Sequence, residues 1–287
     1  MENEKIKEGK GKKLLINVLK VVLSILAVYL ITQKVELREV GVQFSKMKFS
    51  FALLAVISFF ISKVISAVRL NAYYKTQDIL LPESSNTKLY FNSMFYNLFI
   101  PLVGGEAYKV MWLRKNYNAD YKSLIWSALL DRGSGLVALI VLTVVYFNLY
   151  DNGYDWSAMS WPIIPITLIG SFLVHHLFFK SWKPAFTKTT VLSILVQVLQ
   201  VVTIFFLTKA IGLDVKITEY IFIFLVSSFA YILPFIGARE LAFVYGAEYL
   251  GLDNEISLTL SLLFYLVIAF NSLLGAVFFF IPIQKQN

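Results

Sequence analysis

Six charged residues fall in stretches that are otherwise strongly apolar: Glu106, Lys109, Asp131, Arg132, Arg239 and Glu240. Charges at membrane depth are expensive, and they pair with one another or line a polar pathway. Glu106 follows Gly104-Gly105 at the expected start of a half-helix, where the helix dipole favours an anion. Lys109 is three residues on and can share its face. Arg239 and Glu240 take the corresponding place after Gly237. Asp131 and Arg132 lie about nine residues into another apolar segment, ~14 Å along it. Two chemistries fit. Arg132, Arg239 and Lys109 can meet an anionic headgroup while Glu106, Glu240 and Asp131 orient those cations or contact a cationic group. Alternatively, the charges pair internally and fasten two turns together.

Other chemistries have less support. The absence of cysteine excludes disulfides, thiolate metal sites and a cysteine nucleophile. His175-His176 has no carboxylate or third histidine nearby in sequence, so no metal site is expected. There is no P-loop, nucleophile elbow or H-E-x-x-H pattern, so neither a catalytic residue nor a cofactor is expected. Asn92 and Asn97 can cap or line the first half-helix, and Asn271 can bond between helices. Trp112, Trp126, Trp156, Trp161 and Trp182 read as interfacial anchors, and Arg69 as a snorkelling side chain at the end of a span.

These residues are positioned by an unusually apolar chain: 58% of its 287 residues are hydrophobic and 15% charged. Soluble domains carry about 25% charge, so the composition specifies an all-α, polytopic integral membrane protein. The net charge of +8 comes from basic residues at the flanks of apolar runs, which argues for a membrane and against a nucleic-acid partner. Residues 1–13 form a basic tail and 14–287 a single integral domain. Full spans are expected at Leu14–Thr32, Phe51–Leu70, Leu124–Tyr150, Trp161–Phe179, Val191–Ile211 and Ile256–Ile283.

Two further apolar segments, about 90–112 and 220–250, are broken by Pro101-Leu-Val-Gly104-Gly105 and Pro234-Phe-Ile-Gly237. Each should be two half-helices about a turn, shielded by protein or facing water. Both turns read proline, two apolar residues, glycine, a small residue and then an acid, with one extra residue in the second. A short apolar helix, a polar turn and a long span follow each. Lys109, Arg114, Lys115 and Lys122 place the first broken segment on the cytoplasmic side, and the second then enters from outside. The two copies would be inverted repeats, as in transporters whose discontinuous helices meet near the midplane. Lys5 to Lys13 place the N-terminus in the cytoplasm, whereas Lys34, Arg38, Lys46 and Lys48 fall in a loop this topology puts outside.

Asn97-Leu-Phe-Ile-Pro-Leu-Val-Gly-Gly-Glu-Ala-Tyr-Lys109, with Leu130-Asp-Arg132, resembles the first half of the lysylphosphatidylglycerol synthase transmembrane-region, or flippase-like, family. Pro234-Phe-Ile-Gly-Ala-Arg-Glu240 with Gly246 and Gly251 resembles its second half. The resemblance implies a prokaryotic cytoplasmic membrane and movement of a lipid between leaflets. The best-understood members fuse this domain to a soluble synthase, whereas the resemblance here is to the stand-alone members, and no synthase is expected. Lys109 stands where arginine is common, Asp131-Arg132 where Glu-Arg is usual, and Tyr265 where a charged pair would match, so the substrate is expected to differ.

The leading expectation is therefore a lipid translocase whose groove lies between two inverted repeats, with a membrane lipid of unspecified headgroup as its ligand. The alternatives are an embedded enzyme acting on a lipid-linked sugar with Glu106 or Asp131 as base, and an anchoring subunit for a lipid-modifying enzyme. Self-association is left open.

Overall fold

The computed structural model describes residues 22, 29, 37–100, 103–149, 157–232, 237–281 and 283. The basic tail, most of the expected first span and the two turn prolines, Pro101 and Pro234, lie outside the described residues. Among the described residues the chain forms α-helices and short 3-10 turns, with no strand. The helices are α1 Leu37–Ser45, α2 Phe49–Lys75, α3 Glu83–Phe99, α4 Gly104–Tyr117, α5 Tyr121–Leu149, α6 Ile163–Phe178, α7 Phe186–Ala210, α8 Ile217–Ser228, α9 Ala238–Tyr249 and α10 Asn254–Phe278.

Five described stretches are long and apolar enough to cross a bilayer: α2, α5, Ala158–Phe178, Lys180–Ala210 and α10. Crossing takes roughly 20 residues. Helices α3, α4, α8 and α9 have 17, 14, 12 and 12 and fall short. The two broken segments thus resolve into helix pairs, with α3 starting at Glu83, well before the expected Tyr90.

Contacts sort the helix ends into two groups. At one end, Lys48 N donates to Ala210 O (2.7 Å), Lys216 Nζ to Gly251 O (3.3 Å) and Asp253 N to the Tyr220 hydroxyl (3.3 Å). Phe44 packs with Leu258 there. At the other, Ile79, Leu81, Leu89, Leu113 and Leu124 cluster with Tyr117 and Ile283. The α3–α4 pair therefore leaves from and returns to the second end, and α8–α9 leaves from and returns to the first. Helices α2 and α7 run antiparallel through the centre, as Ser58 Oγ to Leu199 O (2.9 Å) and Arg69 Nη1 to Ser193 Oγ (3.0 Å) require. The outer packing is reciprocal: α10 lies on α3, and α5 lies on α8.

Small residues permit this closeness. Ser58, Ser62 and Ser66 lie along one face of α2, the i, i+4 pattern that lets membrane helices approach. Ser62 and Ser66 satisfy their hydroxyls on carbonyls of their own helix. Helix α3 is gripped from two sides. A Cβ on Gly105 would lie 2.2 Å from Ser93 O, and one on Gly275 would lie 2.2 Å from Phe91 O, so only glycine fits at either crossing. The main core lies where α2, α8, α9 and α10 meet, around Phe59, Phe224, Phe243 and Phe264. The span containing α6 has only 6% of its apolar window buried and sits at the periphery.

Helix α1 falls in the expected external loop and packs on α10. Lys46 and Lys48 consequently lie at the end opposite Lys75, Lys115 and Lys183. Basic residues at both ends are the physical reason that counting charge gives a mixed topology.

Candidate functional site

The first turn builds a compact ionic cluster. Asn97, near the end of α3, accepts a hydrogen bond from Gly105 N through Oδ1 (2.8 Å) and so caps the start of α4. That fixes Glu106 in the first turn of α4, where exposed backbone amides favour its charge. Glu106 Oε1 accepts from Lys109 Nζ at 3.0 Å and from Arg132 Nη2 at 3.4 Å. Its other oxygen, Oε2, is buried with no hydrogen-bond partner. Lys109 is buried and also lies 5.1 Å over the Tyr90 ring, whereas the Arg132 side chain is 48% exposed. One cation is thus held in protein while the other opens outward.

Asp131 neighbours this cluster in sequence but turns to another partner. Arg69 donates through Nε to Oδ1 (2.7 Å) and through Nη2 to Oδ2 (3.0 Å), while its Nη1 reaches Ser193 Oγ (3.0 Å). Arg69 is buried, not snorkelling, which corrects the sequence reading. The cause is helix length: α2 continues to Lys75, so Arg69 lies a turn and a half inside it. Gly135 leaves room for the guanidinium, since a Cβ there would come within 3.3 Å of Arg69 Nη1. The pair clasps α2, α5 and α7 together.

The second turn has a different character. Gly237 has φ +92°, a conformation open to glycine, and caps α9. Arg239 is buried, its guanidinium 4.2 Å from the Phe264 centroid, 4.9 Å from Phe224 and 5.5 Å from Phe243. Glu240 Oε1 accepts from Ser261 Oγ at 3.4 Å. The structure therefore brings Glu106, Lys109 and Arg132 together, sets Asp131 beside them on Arg69, and places Arg239 and Glu240 among other residues.

Among the other polar residues, Asn271 Nδ2 bonds Val267 O (2.9 Å) and reaches Val56 O (3.5 Å), which fits its expected place between helices. His175 stacks beside Tyr73, with ring centroids 6.2 Å apart. Sequence reasoning missed Lys63, whose ammonium lies 4.5 Å over the Phe59 ring near the middle of α2. The available signal was a lone lysine between Ser62 and Val64 in a long apolar run.

The fold and its embedded charges define the class: an all-α, multi-pass membrane protein. The family described as the lysylphosphatidylglycerol synthase TM region matches residues 17–191, more than half of the chain, and the protein belongs to that family. The match contains Glu106, Lys109, Asp131 and Arg132, while Arg239 and Glu240 lie beyond it. No curated protein and no solved structure matches the chain.

Proposed function

We propose that the protein is a lipid translocase of a prokaryotic cytoplasmic membrane, with its N-terminus in the cytoplasm, that moves an anionic phospholipid or lipid-linked headgroup between leaflets. One observation carries the reading: among the described residues, Arg69 pairs with Asp131 while Lys109 and Arg132 share one oxygen of Glu106, so three cations meet two carboxylates around the first turn. An embedded excess of cations is costly, and an incoming phosphate would neutralise it. The half-exposed Arg132 meets the headgroup first, and Lys109 and Glu106 orient it. Asp131 is the anchor that holds Arg69. Arg239 and Glu240 shape the second turn, and the glycines allow the half-helices to approach.

In this reading α3–α4 and α8–α9 are re-entrant segments entering from opposite leaflets, and the acyl chains remain in lipid while the headgroup passes between the repeats. Membership of a lipid-related membrane family and the return of each helix pair to its own end support it.

The test is transbilayer movement of fluorescent phosphatidylglycerol in liposomes containing purified protein, with recovered lipid analysed by mass spectrometry. Protein-dependent movement of chemically unchanged lipid is expected. No movement of phosphatidylglycerol or polyprenyl phosphate would refute translocation, and a covalently altered product would establish the enzyme reading.

A further inference from the structure

We propose that Lys63 is a mid-membrane anion station that receives the phosphate of the translocated lipid between the two turn clusters. The inference rests on the translocase reading and adds to it a specific residue and ligand chemistry.

Lys63 lies near the centre of the 27-residue α2, ~20 Å from either helix end. It is therefore as far from both surfaces as this helix allows, and its side chain cannot carry the ammonium out to water by snorkelling. Among the described residues, no carboxylate lies within ion-pair distance of that ammonium. The nearby Asp131 has both oxygens engaged by Arg69. What holds Lys63 is a ring face: its Nζ is 4.5 Å from the Phe59 centroid. The residue as a whole is half-buried.

Its position links the two halves. Phe59 meets Phe264 edge to face at 5.6 Å, and Phe264 carries the Arg239 guanidinium on its other contact at 4.2 Å. Lys63, Phe59, Phe264 and Arg239 thus form a row from the central helix to the second turn, while the Arg69–Asp131 pair, which joins α2 to α5, lies towards the first. A headgroup leaving Arg132 and Lys109 would otherwise cross the most apolar part of the bundle without a counter-charge. A lysine, unlike an arginine fork, is a compact point charge with three donors on a flexible stem, suited to accepting and releasing a phosphate.

The experiment measures phosphatidylglycerol retained by purified protein in detergent, by native mass spectrometry, for wild type, Lys63→Met and Lys63→Arg. Lys63→Met keeps an unbranched apolar stem and removes the charge, and thermal unfolding checks that it folds. Lys63→Arg restores the charge if the position tolerates it. We expect Lys63→Met to retain phosphatidylglycerol roughly tenfold less well, the scale of one charge-assisted hydrogen bond, and Lys63→Arg to stay near wild type. Failure of 50 mM (about) inorganic phosphate to displace the lipid would assign the station to a lipid phosphate, whereas displacement would assign it to soluble phosphate as well. Equal retention by wild type and folded Lys63→Met would overturn the inference. So would equal losses in Lys63→Met and Lys63→Arg, because shape and not charge would then matter. Retention is read without movement, so a wild-type protein that binds through Lys63 but does not flip would refute the translocase reading alone.

Discussion

The two helix pairs share a turn pattern but surround its charges differently. In α3–α4 the acid after the glycines is the centre of an ionic cluster, with Lys109 and Arg132 on one oxygen and the other oxygen unsatisfied. In α8–α9 the neighbouring arginine lies among the rings of Phe224, Phe243 and Phe264. The glycines differ too. Gly105 is required by the approach of Ser93 O, and Gly237 by its positive φ. The first turn joins its charges to one another, and the second sets its arginine among aromatic rings. A sequence repeat therefore does not imply two equivalent binding sites.

The contrast can be broken most forcefully at its anchor. Arg69→Ala leaves Asp131 buried and uncompensated, and should cost about 3–5 kcal/mol in denaturant unfolding of the detergent-solubilised protein. A loss under ~1 kcal/mol, the scale of an exposed pair, would show that water reaches this clasp. Gly105→Ala should cost about 1–3 kcal/mol by overpacking. Gly237→Ala should cost about 1–2 kcal/mol through strain at its positive φ. A Ser93→Gly change cannot relieve the Gly105 clash, because the obstructing atom is a backbone oxygen. Arg239→Lys should lose about 0.5–2 kcal/mol by exchanging a stacked guanidinium for a point charge, without changing lipid specificity. At the small end, Lys75→Ala removes the exposed Lys75–Glu83 pair and should shift stability by under ~1 kcal/mol.

The sequence makes some of this plain and hides the rest. Hydropathy reveals the long helices because a bilayer demands uninterrupted apolar length, and Pro-Gly punctuation reveals both broken segments. The Glu106–Lys109 contact is readable because three-residue spacing puts both on one helix face. Arg69 and Asp131 are 62 residues apart, and nothing local announces their pairing. The sequence also puts Arg69 at a span's end because the apolar run stops at Leu70, while the helix continues to Lys75, carried by buried Asn71, Tyr73 and Tyr74. Lys63 is silent in sequence because one lysine barely changes the hydropathy of its span. The aromatic surroundings of Arg239 come from three different helices, so only the tertiary fold reveals them.

The most direct measurement is the rate of phosphatidylglycerol movement in liposomes containing Arg132→Gln, compared with wild type and Arg132→Lys. Arg132 is the most exposed cation of the first cluster, so removing its charge should spare the fold. The account predicts a fall of roughly tenfold in Arg132→Gln with partial recovery in Arg132→Lys. A folded Arg132→Gln protein moving lipid at the wild-type rate would contradict the placement of the headgroup at the first turn.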